Sequence, residues 1–79
     1  MKIQRAVALR TSNLLIKNNM TQYELSKKAA MDESTLRSIN NERYKTVKLD
    51  TIILICDGFG ISLKEFFDDE IFKRENLDV

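Results

Sequence analysis

The 79-residue chain is 43% apolar and 32% charged, which describes one small globular domain and excludes a disordered segment. It has no histidine and one cysteine, so the commonest metal ligand and general base is missing and no internal disulfide can form; no metal, no cofactor and no enzyme activity are expected. The net charge of +1 conceals a division: residues 1–48 hold ten Lys/Arg against four Asp/Glu, and residues 49–79 hold three against eight.

Any one of these charges can be ordinary solvated surface, but their separation fits a basic face for nucleic acid and an acidic tail kept away from it. No apolar run approaches the roughly 20 residues that span a bilayer. The start MKIQRAVALR has a broken apolar segment and an early second Arg, unlike a secretory signal, so a cytoplasmic chain with no membrane role is expected.

Lys2 to Asn18 reads as a first helix. Ile3, Val7, Leu14 and Leu15 lie near one face, with Ala6 and Leu9 beside them and Arg5, Arg10 and Lys17 outside. Asn18-Asn19 ends it, because Asn tolerates a left-handed backbone. Met20 then precedes the Thr21 cap and can staple against Leu25.

Thr21 to Asn41, TQYELSKKAAMDESTLRSINN, reads as two short helices joined by a turn at Ala30-Met31. Thr21 and Glu24 make a capping box, and Leu25 and Ala29 share one face. Asp32 can cap the second helix and suits its dipole. From that helix Leu36 and Ile39 point inward, while Ser34, Arg37, Ser38 and Asn41 form one outward strip at i, i+3, i+4, i+7. Helices this short do not persist alone, so their apolar residues must be buried against the flanking segments. Such a pair, with small hydrogen-bonding groups left exposed, has the form of a helix-turn-helix, whose second helix enters the DNA major groove.

Glu42 to Thr46 reads as a loop in which Arg43 and Lys45 flank Tyr44, an aromatic placed at the core or its rim. Val47 to Asp57 reads as the fourth helix. Leu49, Ile52, Ile53, Cys56 and, beyond it, Phe59 give it an apolar face, which Leu54 and Ile55 widen. A helix apolar around so much of its girth is buried on more than one side, and a second copy of the chain can cover the surplus. Cys56 reads as a packed, inert thiol, with no basic neighbour to lower its pKa. Gly58 and Gly60 end the helix. Ser62 and Glu65 form a second capping box, and Leu63, Phe66 and Phe67 anchor a fifth helix. Asp68-Asp69-Glu70 then interrupts the apolar pattern; three consecutive carboxylates do not converge on one metal, and solvated acids are the plain reading. Ile71-Phe72 resumes the pattern, and Lys73 to Val79 is expected to be a frayed or partner-dependent tail. The organisation is one domain over residues 1–70 and a short tail over 71–79 that can serve a dimer.

Thr21-Gln22, Leu25, Ala29, Met31, Ser34-Thr35-Leu36 and Ile39 resemble the Cro/C1-type (XRE-like) helix-turn-helix family of phage repressors and bacterial regulators. The resemblance continues through Leu49-Asp50-Thr51-Ile52 and Gly60-Ile61-Ser62-Leu63-Lys64-Glu65-Phe66-Phe67, and covers roughly Ile3 to Phe67. It implies an all-α, compact five-helix lambda-repressor-like domain with the helix-turn-helix at helices 2 and 3. Three residues depart from the family's pattern: Ala30 stands where the turn usually has Gly, Ser26 where Ala is usual, and Leu15 where Arg is common. Either Ala30 carries a left-handed backbone at a cost of roughly 1–2 kcal/mol, or the turn differs. The Ser26 hydroxyl can bond back to the Gln22 carbonyl.

The resemblance implies a sequence-specific DNA-binding transcriptional regulator, a repressor, that reads the major groove of double-stranded DNA with helix 3. Glu33, Ser34, Arg37 and Ser38 are the candidate base readers, with Thr35 and Asn41 at the margins. Arg37 can bond a guanine edge in a bidentate way, or simply pair with Glu33; Glu33 can accept from a cytosine amino group. Gln22, Arg43 and Lys45 are candidates for the DNA backbone, while Lys27 and Lys28 add charge there or stay solvated. Two copies on a palindromic operator are expected, hence a homodimer. Two other readings stand beside this one: an antitoxin-type regulator with a toxin as protein partner, and a protein-interaction module that has kept the fold without reading DNA.

Overall fold

The computed structural model describes residues 1–79, and five α-helices carry it: α1 (Ile3–Lys17), α2 (Gln22–Lys28), α3 (Glu33–Asn40), α4 (Leu49–Phe59) and α5 (Leu63–Phe67). Two 3₁₀ turns, Glu70–Phe72 and Arg74–Asn76, follow them. Helix α1 packs on α3, α2 packs on both α3 and α4, and α4 packs on α5. Val7, Leu14, Leu25, Leu36, Ile39, Ile52, Ile55, Cys56 and Phe66 meet in one buried cluster drawn from all five helices. No helix is long and apolar enough to cross a membrane.

Four of the helices end in the same way. A residue with left-handed backbone closes each one: Asn19 (φ +50°), Ala30 (+53°), Glu42 (+56°) and Gly60 (+71°). The next N–H then returns to a carbonyl five residues back: Met20 to Leu15 (2.9 Å), Met31 to Ser26 (3.0 Å), Arg43 to Ser38 (2.9 Å) and Ile61 to Cys56 (3.0 Å). Only Gly60 is free of the steric cost of that conformation. The turn between α2 and α3 thus keeps the left-handed geometry, and Ala30 bears it.

Caps start the helices less uniformly. The Thr21 hydroxyl accepts from Glu24 N–H (3.1 Å), and the Glu24 carboxylate accepts from Thr21 N–H (3.0 Å), closing the expected box. That backbone N–H, followed by the Thr21 hydroxyl, holds the Glu24 carboxyl below its ordinary pKa. Ser62 accepts from Glu65 N–H, but the reciprocal bond is absent, so this box is half formed. Asp32 occupies the cap position of α3 without a side-chain bond. Ser26 donates to the Tyr23 carbonyl (2.6 Å), not to Gln22.

Several expectations need correction. Leu9 is exposed, and its anticipated place belongs to Ala8 and to Thr11, whose hydroxyl is satisfied by the Val7 carbonyl (2.8 Å). Helix α4 begins two residues later than its apolar pattern suggests, with Lys48 at the cap position and no side-chain cap bond, and it runs on to Phe59. Gly60 closes α4 as expected, whereas Gly58 lies within its last turn. A Cβ there would lie 2.7 Å from Leu25 Cδ1 and 3.0 Å from Ala29 Cβ, so Gly58 is the point at which α2 presses onto α4. Arg10 is not an outward cation. Its Nε donates to the Phe66 carbonyl (2.7 Å), Nη2 to the Glu65 carbonyl (2.9 Å) and Nη1 to Asp69 (3.2 Å), which clasps α1 to the end of α5. The tail is not frayed: Asp78 N–H donates to the Met1 carbonyl (2.8 Å), and Lys2 pairs with Asp78 as an isolated parallel bridge. Phe72 reaches back to Phe67 in an edge contact of 4.8 Å, which anchors the start of that tail. Burial pushes the Cys56 thiol up, against reactivity.

Thermal melts of two variants test these contacts. Ala30→Gly relieves strain of roughly 1–2 kcal/mol against roughly 0.5–1 kcal/mol of added unfolded-state entropy, so its melting temperature should rise by a few degrees. Gly58→Ala gains about 1 kcal/mol of helix propensity but overpacks a closed contact at about 1–3 kcal/mol, so it should melt lower. Melting shifts of the opposite signs would contradict these two assignments.

Candidate nucleic-acid interface

The burial of α3 decides what it can present. Leu36 and Ile39 are fully in the core, so the opposite side must face outward. Ser34, Arg37 and Asn41 are exposed along that side, and Glu33, Thr35 and Ser38 are half-buried at its edges. Thr35 leans toward α4, where it lines a cleft with Thr51, which puts it at the margin of the strip. Arg37 Nη2 lies 3.6 Å from Glu33 Oε1. Arg37 is exposed and Glu33 only half-buried, and surface pairs of this kind contribute about 0–1 kcal/mol, so little holds the guanidinium back from another partner.

Gln22 is the first residue of α2 and is half-buried. Its carbonyl oxygen accepts from Asn40 Nδ2 at 2.7 Å, which ties the start of α2 to the end of α3. Arg43 and Lys45 are exposed in the loop after α3, and Tyr44 is about half exposed, a rim position. Together with Lys48 they border a cleft of about 500 Å³ floored by Ile39 and Val47. None of Arg43, Lys45 or Lys48 lies within ion-pair distance of an acid, whereas Arg5 pairs with Glu42 and Arg10 with Asp69. The uncommitted positive charge beside α3 is therefore concentrated at its C-terminal end. Lys27 lies 5.1 Å from the Tyr23 ring centroid, a cation–π contact that places it on α2's own solvated surface.

The structure places Gln22, Arg43 and Lys45, the residues expected at the DNA backbone, around α3, and sets beside them Asn40 and Lys48, which the sequence did not single out. Lys48 could have been found from its charge next to Arg43 and Lys45. Asn40 carried no local signal, because its partner is 18 residues away. No cluster of His, Cys, Asp or Glu has the arrangement of a metal site.

This geometry has close parallels among solved structures. The wild-type restriction-modification controller protein C.Esp1396I aligns with a TM-score of 0.78 at 20% identity, over 86% of this chain and 87% of that one. A point mutant of the same controller aligns with the same TM-score and coverage at 21% identity. At such identity the likeness is one of fold. No curated protein sequence matches the chain. The profile of the Cro/C1-type HTH DNA-binding domain matches residues 10–70, which span the helix-turn-helix, the loop after α3 and both helices behind it. The chain belongs to the Cro/C1-type helix-turn-helix DNA-binding domain family and is a DNA-binding transcription regulator.

Proposed function

We propose that the chain is a sequence-specific repressor that binds a palindromic operator as a homodimer. The observation that carries this is the two-sidedness of α3: Leu36 and Ile39 are sealed in the core, while Ser34, Arg37 and Asn41 are exposed on the other side. In this reading Glu33, Ser34, Thr35, Arg37, Ser38 and Asn41 meet base edges, and Gln22, Arg43 and Lys45 meet phosphates. Arg37 carries most of the discrimination. A bidentate contact to guanine distinguishes bases by about 1–3 kcal/mol, more than the surface pair with Glu33 contributes. Glu33 repels phosphate, so it disfavours duplexes on which it finds no cytosine amino group.

One α3 spans only a few base pairs. Two copies related by a two-fold axis place two such helices about 34–36 Å apart, one turn of the duplex. Helix α4 offers the surface for that pairing: Leu49, Ile53 and Leu54 are exposed apolar side chains on a helix whose Ile52, Ile55 and Cys56 already fill the core. Repression then follows from occupancy of the operator.

Selection of bound sites from random DNA, followed by titration of salt on the selected duplex, tests the reading. A preferred duplex should emerge, and log affinity should fall steeply and linearly with log salt as counterions are released. Arg37→Ala should cost about 1–3 kcal/mol on that duplex and relax preference at one position per half-site. An unchanged preference would remove Arg37 from the readers, and a flat salt response would point to the protein-interaction alternative. Sedimentation of the chain on its selected duplex should show two copies; one copy per duplex would contradict the dimer.

A further inference from the structure

We propose that Asn40 is a positioning residue for the phosphate contact of Gln22, an assignment that rests on the DNA-binding reading above. Asn40 is the last residue of α3, and its Nδ2 donates to Gln22 Oε1 at 2.7 Å. This bond occupies the acceptor end of the Gln22 amide. The donor end, Nε2, has no partner within the protein. A phosphate accepts hydrogen bonds and donates none, so an amide whose oxygen is held inward and whose N–H groups are free is oriented for phosphate. The opposite pairing, with Gln22 donating, would turn a carbonyl oxygen toward the phosphate and leave the Asn40 amino group as a buried orphan donor, a rarer state than an orphan oxygen.

The bond comes with a defect that stability alone does not explain. Asn40 Oδ1 is buried and has no hydrogen-bond partner within the protein. A buried unsatisfied acceptor is destabilising, and an apolar side chain of similar size would avoid it. Asn at this position therefore serves the orientation of Gln22, not the core. The arrangement also links the two functional helices, because a change in their crossing alters the Asn40–Gln22 distance directly.

Binding to the selected duplex by the parent, Gln22→Ala, Asn40→Leu and the double variant tests this, with a thermal melt of each. Asn40→Leu should fold, melt no lower than the parent and bind about five- to tenfold more weakly, the loss of one hydrogen bond to a charged group. The loss should be the same on every sequence, and the salt slope should not change, because a neutral amide releases no counterion. In the Gln22→Ala background the Asn40→Leu substitution should have no further effect. Asn40→Ala provides a smaller second variant with the same expected pattern. Additive losses, or parent-like affinity in both Asn40 variants, would overturn the proposal. Loss of fold in both would make Asn40 a structural residue and overturn it as well. A folded parent that binds no duplex would overturn the DNA-binding reading itself, and this proposal with it.

Discussion

The contact of α2 with α4 is the constraint on which the rest of the structure depends. Two short helices have no intrinsic persistence, so the angle at which α3 is offered is set by what α2 and α3 are pressed against. Gly58, inside α4, has no side chain, and this lets Leu25 and Ala29 approach the α4 backbone closely. Leu36 and Ile39 are then drawn into the same cluster as Val7 and Leu14, and α3 lies across α1. Ala30 joins the two at a left-handed turn. Once Leu25, Leu36 and Ile39 are seated, no freedom remains over which side of α3 faces out.

The charges follow from the same packing. Two of the basic residues of α1 are engaged within the fold: Arg10 satisfies carbonyls at the end of α5, where the helix dipole also favours a cation, and Arg5 makes a surface pair with Glu42 just beyond α3. Three cations without acidic partners, Arg43, Lys45 and Lys48, lie in the loop behind α3, while Lys27 stands near its start. A small net charge is compatible with a basic face, because eight of the twelve acids lie in residues 49–79, Asp69 among them on Arg10 and Glu70 on Lys73. Electrostatics here supplies grip, and the outward strip of α3 supplies selectivity.

Features encoded locally were legible in the sequence. The Thr21–Glu24 box, the inward spacing of Leu25, Leu36 and Ile39, and Ser62 as a cap depend on neighbours within a few residues, and the structure places each as read. What escaped depends on distant partners. Gly58 resembles a helix terminator until Leu25 is seen against it. Arg10 resembles a surface cation until the end of α5, more than fifty residues on, arrives at its guanidinium. The tail is expected from its sequence to fray or to await a partner, but it pairs through its backbone, which side-chain patterns do not reveal. Around the candidate site, Ser34 and Arg37 are exposed by the helical period alone, whereas the Asn40–Gln22 bond required the crossing of two helices.

The central claim is that the outward strip of α3 is the surface that lies against base edges. The most direct measurement is a nuclear magnetic resonance titration of the isotope-labelled chain with its preferred duplex. The account predicts that the largest amide shifts fall on Glu33 to Asn41, with smaller ones at Gln22 and Arg43 to Lys45, while the paired termini at Lys2 and Asp78 stay still. Shifts centred instead on the exposed face of α4, with α3 unchanged, would contradict it.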